Sequence, residues 1–372
     1  MHKILIIFGT RPEAIKMAPI VKSLESAFEI SVCVTAQHRE MLDQVLNIFE
    51  IKPDVDLDLM KPKQTLSGLS ARILSSVDNV LDQEKPDLVL VHGDTTTSSI
   101  AALCSFYKKI DVGHVEAGLR TNEKYSPFPE EMNRQLTSKI ASIHFAPTMT
   151  AKTNLLNEGI QEDSIYVTGN TIVDALKKIR KKAKGVEFSD SLLTDLPFIN
   201  NKEKIILVTG HRRENFGPGF EEICLGIKDI AQEFPSINIV YPVHLNPNVL
   251  EPTTRLVGNL KNVHLIKPVE YIQFIKLMEK SQLIITDSGG IQEEAPSFSL
   301  PVLVMRDSTE RPEAIESGNA ILVGANRESI FSNAKKFLKN AKNLGVDESI
   351  INPFGDGNAS KKIKEILLKK FK

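Results

Sequence analysis

Short apolar runs recur along the chain, and each ends at a turn that opens a helical pattern. Examples are Ile4–Phe8, Leu88–Val91, Val112–Val115, Ile205–Thr209 and Leu283–Thr286. Runs of this length that are apolar throughout are typical of parallel strands covered by helices on both faces. Because the alternation of strand and helix restarts in the second half, the sequence predicts an α/β protein. Its architecture would be two Rossmann-like, doubly wound domains that face each other across a cleft.

The length of 372 residues agrees with two domains of ordinary size. A polar, lysine-rich section, Lys177–Lys204, separates the halves and predicts a solvated helix and a connector. We expect an N-terminal domain over residues 1–170 and a C-terminal domain over 171–354. Residues 355–372 then form a basic helix that packs back on the first domain.

Composition limits the partners and the location. The formal net charge of −1 gives no electrostatic reason to expect nucleic acid or an anionic membrane. Apolar runs stay well below the ~18 residues of a membrane span. Cys33, Cys104 and Cys224 lie in apolar runs without metal-ligand spacing, as core cysteines of a reducing compartment do. The sequence therefore predicts a cytoplasmic protein without a metal site.

The stretch from Leu283 to Gly318 carries the pattern of a nucleotide site. The strand breaks at Asp287-Ser288-Gly289-Gly290, where two glycines allow a ligand close to the backbone and the following helix start offers free N–H groups. Glu294 would then accept hydrogen bonds from sugar hydroxyls, and Arg311 would grip the phosphates. The alternative is an ordinary strand–turn–helix joint with surface charges.

Three acidic positions indicate proton transfer. Asp94 and Glu116 each follow a predicted strand, so both should lie at the carboxyl edge of one sheet, and Glu130 follows a proline-bracketed loop. Carboxylates around one crevice suit acid–base chemistry if burial separates their pKa values. The alternative is that Asp94 and Glu116 cap helices. Glu131 is expected to be a first-turn charge on its helix.

His211 lies in the turn after the first strand of the second half, and Arg212 and Arg213 follow it. A cation at this point could stabilise a departing diphosphate, although a loop histidine often just bonds a backbone carbonyl.

Several motifs are absent: G-x-G-x-x-G after the first strand, the Walker A motif, H-E-x-x-H and G-x-S-x-G. The sequence thus gives no support for a dinucleotide cofactor, a P-loop, a zinc protease or a hydrolase of the G-x-S-x-G type.

Long motifs in consistent order resemble the non-hydrolysing UDP-N-acetylglucosamine 2-epimerases, and the resemblance covers nearly the whole chain. They are FGTRPEAIKMAP (8–19), TAQHREMLDQ (35–44), VHGDTTT (91–97), GHVEAGLRT (113–121), PFPEEMNR (127–134), VTGHRREN (208–215), DSGGIQEEAPS (287–297) and MRDSTERPE (305–313). The resemblance implies the glycosyltransferase-B arrangement, with the nucleotide held mainly by the second domain. It also implies an isomerase that needs no cofactor and forms homodimers.

The resemblance also implies roles for individual residues. The catalytic positions are Asp94, Glu116, Glu130 and His211. UDP and substrate would be bound by Arg11, Lys16, Phe274, Ser288, Gly289, Gly290, Glu294 and Arg311. A second, activating substrate site would include Gln37, Glu40, Gln64 and His244.

The expected reaction is reversible C2 epimerisation of UDP-N-acetylglucosamine to UDP-N-acetylmannosamine, which supplies surface polysaccharide synthesis. The reaction would proceed by elimination and re-addition of UDP. Inspection leaves open a hydrolysing 2-epimerase and a 2-epimerase of a UDP-2,3-diacetamido sugar. A non-catalytic sugar-nucleotide sensor and a glycosyltransferase of similar architecture are further alternatives.

Overall fold

The computed structural model describes residues 1–36, 39–61, 64–201, 204–340 and 352–371, with the backbone alone at 39–41 and 340. The chain divides into two compact units. Unit 1 comprises Met1–Lys177 and Phe354–Lys372, and unit 2 comprises Lys178–Pro353. Each unit is built on a parallel sheet, which confirms the predicted α/β class with two doubly wound domains.

The sheet of unit 1 has seven strands within the described residues, all parallel, in the order β3-β2-β1-β4-β5-β6-β7. The strands are β1 Lys3–Phe8, β2 Glu29–Val34, β3 Val55–Asp56, β4 Leu88–His92, β5 Asp111–Val115, β6 Ile143–Ala146 and β7 Ile165–Val167. The helices are α1 Arg11–Leu24, α2 Arg39–Phe49, α3 Leu66–Glu84, α4 Thr96–Tyr107, α5 Glu130–Ile140, α6 Met149–Asn157 and α7 Thr171–Ala183. The central strands β1 and β4 are buried almost throughout, as their apolar sequences require.

The sheet of unit 2 has six described strands, also all parallel, in the order β10-β9-β8-β11-β12-β13. The strands are β8 Ile205–Thr209, β9 Ile239–Pro242, β10 Val263–Ile266, β11 Ser281–Thr286, β12 Val302–Val304 and β13 Ala320–Leu322. The helices are α8 Asp190–Asp195, α9 Pro218–Glu233, α10 Pro247–Val257, α11 Tyr271–Lys280, α12 Gly289–Glu294, α13 Pro312–Glu316 and α14 Arg327–Asn340.

The last helix, α15 Ala359–Lys370, belongs to unit 1, where it packs against α1. Asp174 of α7 is buried and holds the start of α15. Its carboxylate accepts the backbone N–H of Ala359 (3.1 Å), the backbone N–H of Ser360 (2.9 Å) and the Ser360 hydroxyl (2.6 Å). At the other end Phe371 stacks on His2, with ring centroids 4.6 Å apart.

Each apolar run named from the sequence coincides with an observed strand, and the strands that were not predicted are short. β3 has two residues, β7 and β13 have three each, and β6 has four. β7 also leaves Tyr166 and Val167 exposed, so its sequence lacks the continuous apolar signal of a buried strand.

All three cysteines are buried free thiols. Within the described residues, no helix is both long and apolar enough to cross a membrane.

Candidate functional site

Each sheet reverses its strand order at one point, and the candidate residues follow the strands that meet there. In unit 1, β1 lies between β2 and β4; in unit 2, β8 lies between β9 and β11. Open α/β sheets bind ligands beyond the carboxyl ends of the strands at such a switch point. Gly9 and Asp94 follow β1 and β4, and His211 and Asp287 follow β8 and β11. Each unit thus has one candidate site, and we describe the two separately.

Glu116 is buried at the end of β5, where two side chains bind its carboxylate and a third lies near it. Lys16 of α1 forms an ion pair with Oε2, and the Asn170 amide donates to the same oxygen at 2.8 Å. His92 Nε2 lies 3.7 Å from Oε1. The backbone of Glu116 is left-handed, with φ of 63°, an uncommon conformation for a residue with a side chain that is often found at functional sites. The next described helix begins only at Glu130, so Glu116 does not act as a helix cap.

Asp94 follows β4 and pairs with a buried arginine. Arg134 of α5 donates to Asp94 Oδ2 at 2.5 Å, and the Asn133 amide donates to the Asp94 backbone carbonyl at 2.9 Å. The cap of α4 is Thr95, whose hydroxyl accepts the Ser98 N–H at 3.1 Å. The sequence left open whether Asp94 caps this helix; the structure assigns that role to Thr95.

A neutral histidine supports the turn that carries Asp94. His114 on β5 is fully buried, and burial lowers its pKa well below the usual value. Its Nε2 lies 2.8 Å from the backbone carbonyl of Gly93. Because a carbonyl oxygen only accepts, Nε2 carries the proton of the neutral ring. Gly93 has φ of 63°, a conformation that glycine adopts readily. The hydrogen bond from His114 therefore stabilises a turn that favours glycine.

Glu130 is the first residue of α5 and follows a loop with two cis prolines, Pro127 and Pro129. Its neighbour Glu131 does more than the expected first-turn charge. Glu131 is completely buried and accepts the backbone N–H groups of Thr121 (3.1 Å) and Asn122 (3.2 Å). It also pairs with Arg134 at 3.1 Å, the arginine that binds Asp94.

The turn after β1 is held by Glu13, which is also buried. Its Oε2 accepts the backbone N–H groups of Gly9 (3.0 Å) and Thr10 (2.8 Å). Its Oε1 accepts the hydroxyls of Thr95 (2.7 Å) and Ser98 (3.0 Å). Burial raises the pKa of this carboxyl, and its four hydrogen bonds oppose the rise. Glu13 therefore joins the turn that precedes Arg11, the first residue of α1, to the turn that carries Asp94.

In unit 2, the turn after β8 presents His211, whose side chain is half-exposed. The buried Asp287 accepts the backbone N–H groups of His211 (2.8 Å) and Arg212 (2.9 Å). The buried Tyr241 hydroxyl donates to the carbonyl of Gly210 at 3.3 Å. The His211 ring stacks on His244, with centroids 5.5 Å apart and an interplanar angle of 18°.

The joint between β11 and α12 brings together the predicted nucleotide residues of unit 2. Ser288 precedes the first turn of α12, which begins at Gly289. A Cβ on Gly289 would lie 2.5 Å from Arg311 Nη1, whereas one on Gly290 would be 3.8 Å from its nearest neighbour. Glu294 is buried at the end of α12 and accepts the Tyr271 hydroxyl at 2.8 Å. Phe274 is half-buried, one turn after Tyr271 on α11.

Arg311 lies at this joint in an ion-pair network. Its Nε donates to Glu293 at 2.7 Å, and its Nη1 pairs with Glu310. Glu310 also binds Arg306 at 2.9 Å, and Arg306 binds Glu214 at 3.0 Å. The guanidinium that the sequence suggested as a phosphate clamp is thus paired with two buried carboxylates, against the backbone of Gly289.

The residues predicted for a second substrate site are only partly described. Gln37 lies outside the described residues, and Glu40 is described only by its backbone in α2. Gln64 in unit 1 accepts from Arg72 and from the Lys61 N–H at 3.2 Å. His244 in unit 2 accepts the Asn246 N–H at Nδ1 (3.1 Å).

Sequence reasoning missed most of the residues that hold the site in place. Glu13 had a detectable signal, because Thr10 and Glu13 form a capping box. Asn170 and Asp287 had none, since their polar partners lie 54 and 76 positions away. Among the described residues, no group of three or more His, Cys, Asp and Glu side chains has the geometry to hold a metal ion.

Comparison with known proteins gives full-length matches. The model of the UDP-N-acetylglucosamine 2-epimerase family matches residues 22–368. The UDP-N-acetylglucosamine 2-epimerase of Escherichia coli K12 is 54% identical over 371 residues, 98% of each chain. The crystal structure of UDP-GlcNAc 2-epimerase from Neisseria meningitidis bound to UDP-GlcNAc superposes with a TM-score of 0.94 at 52% identity, covering 99% of this chain and 100% of that one. The S. aureus MnaA–UDP structure gives 0.91 at 45% identity, covering 100% and 97%.

Proposed function

The chain belongs to the UDP-N-acetylglucosamine 2-epimerase family, and from that premise we propose that it interconverts UDP-N-acetylglucosamine and UDP-N-acetylmannosamine. It would act as a non-hydrolysing isomerase that supplies surface polysaccharide synthesis. The observation that carries the proposal is the buried Glu116 beside the turn of Asp94, with a left-handed backbone and a carboxylate bound by Lys16 and Asn170. This concentration of charged groups at a switch point suits acid–base chemistry.

The chemistry follows from the substrate. The C2 hydrogen has no adjacent carbonyl, so direct removal would leave an unstabilised carbanion. In an elimination, a base takes the C2 proton, the C2–H electron pair becomes the C1=C2 double bond, and the C1–O bond pair leaves with UDP. UDP then adds back to C1 while a proton returns to the opposite face of C2. No net oxidation occurs.

In unit 1, the carboxylates would move the proton. Asp94, Glu116 and Glu130 are the candidate acids and bases, and Lys16 and Arg134 set the charge around the first two. General acid–base catalysis of this kind contributes typically about 10²–10⁴-fold. Arg11, at the start of α1, is assigned to the substrate on the family resemblance.

In unit 2, the β11–α12 joint would hold UDP. The backbone N–H groups of Gly289 and Gly290, which follow Ser288, suit an anion at a helix start, and the open space at Gly290 supports close approach. Glu294 would accept hydrogen bonds from the ribose hydroxyls, and Phe274 would pack near the uracil. His211 would stabilise the departing diphosphate. We assign Arg311 to the same joint, where its pairing with Glu293 keeps it against Gly289.

Proton NMR of the purified protein with UDP-N-acetylglucosamine in D₂O tests the proposal. UDP-N-acetylmannosamine with deuterium at C2 is the expected product, because the abstracted proton exchanges with solvent. Free N-acetylmannosamine with UDP would assign the protein to the hydrolysing enzymes. Tight UDP binding without deuterium exchange at C2 would contradict epimerisation of this substrate. The UDP-2,3-diacetamido sugar would then be tested, and inactivity with that substrate would favour the non-catalytic sugar-nucleotide sensor.

The second substrate site remains a proposal based on Gln37, Glu40, Gln64 and His244. If this second site operates, the rate depends sigmoidally on substrate concentration, and a hyperbolic dependence would contradict the site.

We also propose a homodimer, supported by exposed apolar side chains on α4 and α5, namely Phe106, Tyr107 and Leu136. Tyr107→Glu with Leu136→Glu should give monomers in analytical ultracentrifugation. The buried free thiols support a cytoplasmic location.

A further inference from the structure

The turn that presents His211 is backed by a completely buried carboxylate. Asp287 follows β11 and directs one oxygen, Oδ2, at the backbone N–H groups of His211 and Arg212, at 2.8 and 2.9 Å. Arg212 Nε donates in return to the Asp287 backbone carbonyl at 3.1 Å. These three hydrogen bonds fix the backbone that carries His211 against Asp287.

The other carboxylate oxygen has a different environment. Oδ1 of Asp287 is shielded from solvent and accepts no hydrogen bond from the described residues. His211 Nδ1 lies 3.6 Å from it. A buried carboxylate oxygen without a donor is costly, so a small rotation of the imidazole that brings Nδ1–H to Oδ1 is favoured.

The other groups around His211 leave this pairing available. His244 faces the imidazole from the loop after β9 as a stacked ring, and its Nδ1 accepts the Asn246 N–H at 3.1 Å, so that nitrogen carries no proton. Tyr241 directs its hydroxyl at the Gly210 carbonyl, away from the ring. Arg212 directs its Nε at the Asp287 carbonyl. Among these groups, the Asp287 carboxylate is the negative one.

We infer that Asp287 is the positioning residue of His211: its Oδ1 accepts a hydrogen bond from Nδ1–H, fixes the tautomer and stabilises the imidazolium. The nitrogen that remains for a ligand is then Nε2, which as part of the imidazolium donates a hydrogen bond to an oxyanion. This inference deepens the proposed function, because the oxyanion is taken to be the diphosphate that leaves C1. The tautomer and the charge of His211 do not depend on that assignment.

NMR of the histidine side chains tests the inference without turnover. In ¹⁵N-histidine-labelled protein, His211 should be mainly the Nδ1–H tautomer when neutral, with its signal assigned by the loss of one resonance in His211→Gln. Wild-type protein in which His211 is mainly the Nε2–H tautomer would overturn the inference. This measurement holds even if variants of Asp287 fail to fold.

Asp287→Asn provides the second measurement. Asparagine retains an acceptor oxygen for the two turn amides but removes the charge, so the pKa of His211 should fall by about one unit or more, as expected for the loss of a close carboxylate. Asp229→Asn is the matched control, because it removes a partly exposed carboxylate of unit 2 that pairs with Arg327 (2.6 Å). A folded Asp287→Asn protein with an unchanged His211 titration would refute the role.

The pH dependence of kcat then links this role to turnover. If protonated His211 assists departure of the diphosphate, the alkaline limb of the profile should move to lower pH in Asp287→Asn and stay in place in Asp229→Asn. A shifted titration with an unshifted profile would retain the pairing but refute its catalytic consequence. Absence of epimerase activity in the wild type would refute the proposed function and leave the NMR result standing.

Discussion

Asn170→Ala is the most direct test of how Glu116 is held. Asn170 is buried, and its amide group is fixed at both ends: Nδ2 donates to Glu116 Oε2 at 2.8 Å, and Oδ1 accepts the Ile172 N–H at 3.1 Å. The backbone N–H of residue 170, which donates to the Phe354 carbonyl at 2.7 Å, is retained in the alanine variant. The substitution therefore removes the side-chain bonds and keeps the backbone link.

The size of the effect follows from the charge on the acceptor. A hydrogen bond to an ionised group contributes about 1.5–3 kcal/mol. Because each 1.36 kcal/mol corresponds to a tenfold change in rate, kcat should fall about 10- to 100-fold if Glu116 must keep its position during proton transfer. KM should change less than kcat, because most of the nucleotide contacts are assigned to unit 2.

The assay is the rate of deuterium incorporation at C2 and of epimer formation, measured by NMR over a range of substrate concentrations. Asn262→Ala is the matched control: its amide donates to the carbonyls of Ala231 (3.0 Å) and Ile237 (3.1 Å) in unit 2. The control should lose stability and retain kcat. If Asn170→Ala retains kcat within about twofold, well below one hydrogen bond to a charged group, the reasoning fails and Asn170 serves only the fold.

Three further predictions concern acid–base roles, stability and thiol reactivity. Asp94→Asn and Glu130→Gln should each lower turnover by about 10²–10⁴-fold in the same NMR assay, and unchanged turnover would remove that residue from the mechanism. Asp174→Ala leaves two N–H groups of α15 without their acceptor, so hydrogen exchange should show this helix less protected by about 2–4 kcal/mol; equal protection would contradict the capping role. Burial raises the pKa of Cys33 to about 12, so iodoacetamide at pH 8 should label it only after denaturation, and rapid native labelling would contradict its burial.

The strands and their order along the chain could be predicted because their signal is local. Ile4–Phe8 and Leu88–Val91 are apolar throughout and end at glycine turns, so a few adjacent residues define each strand. β6, Ile143–Ala146, also lies in a buried environment but contains His144, whose polar ring interrupts the apolar run. A buried histidine bonded to a backbone carbonyl cannot be recognised until its partner, the Ser138 carbonyl at 2.8 Å, is known.

The candidate carboxylates could be predicted for the same local reason, since Asp94 and Glu116 directly follow apolar strands. What the sequence could not provide is the partner of each. Arg134 lies 40 positions from Asp94, and Lys16 lies 100 positions from Glu116. These pairs exist because the parallel sheet brings the ends of distant strands and helices to one edge, and no local pattern encodes that distance.

The partners also separate two kinds of buried acid in this protein. Glu13, Glu131 and Asp287 each accept the N–H groups of two consecutive residues in a turn after a strand. A carboxylate suits this task because both of its oxygens accept hydrogen bonds and neither donates one. Asp94 and Glu116 differ: their carboxylates are held by side-chain donors of Arg134, Lys16 and Asn170.

This difference has a chemical consequence. A carboxylate that accepts hydrogen bonds from backbone N–H groups stabilises one conformation of a turn, and its protonation would weaken the bonds that define the turn. A carboxylate held by side-chain donors alone can exchange a proton without loss of a backbone hydrogen bond. The amide variants of Asp94 and Glu116 should therefore lose turnover with little loss of structure, whereas Glu13→Gln, which replaces the charged acceptor of the Gly9 and Thr10 N–H groups by a neutral one, should destabilise the turn itself. Circular dichroism melting and kcat measured on the same samples distinguish the two classes, and a Glu13→Gln protein with wild-type stability but impaired turnover would contradict the division.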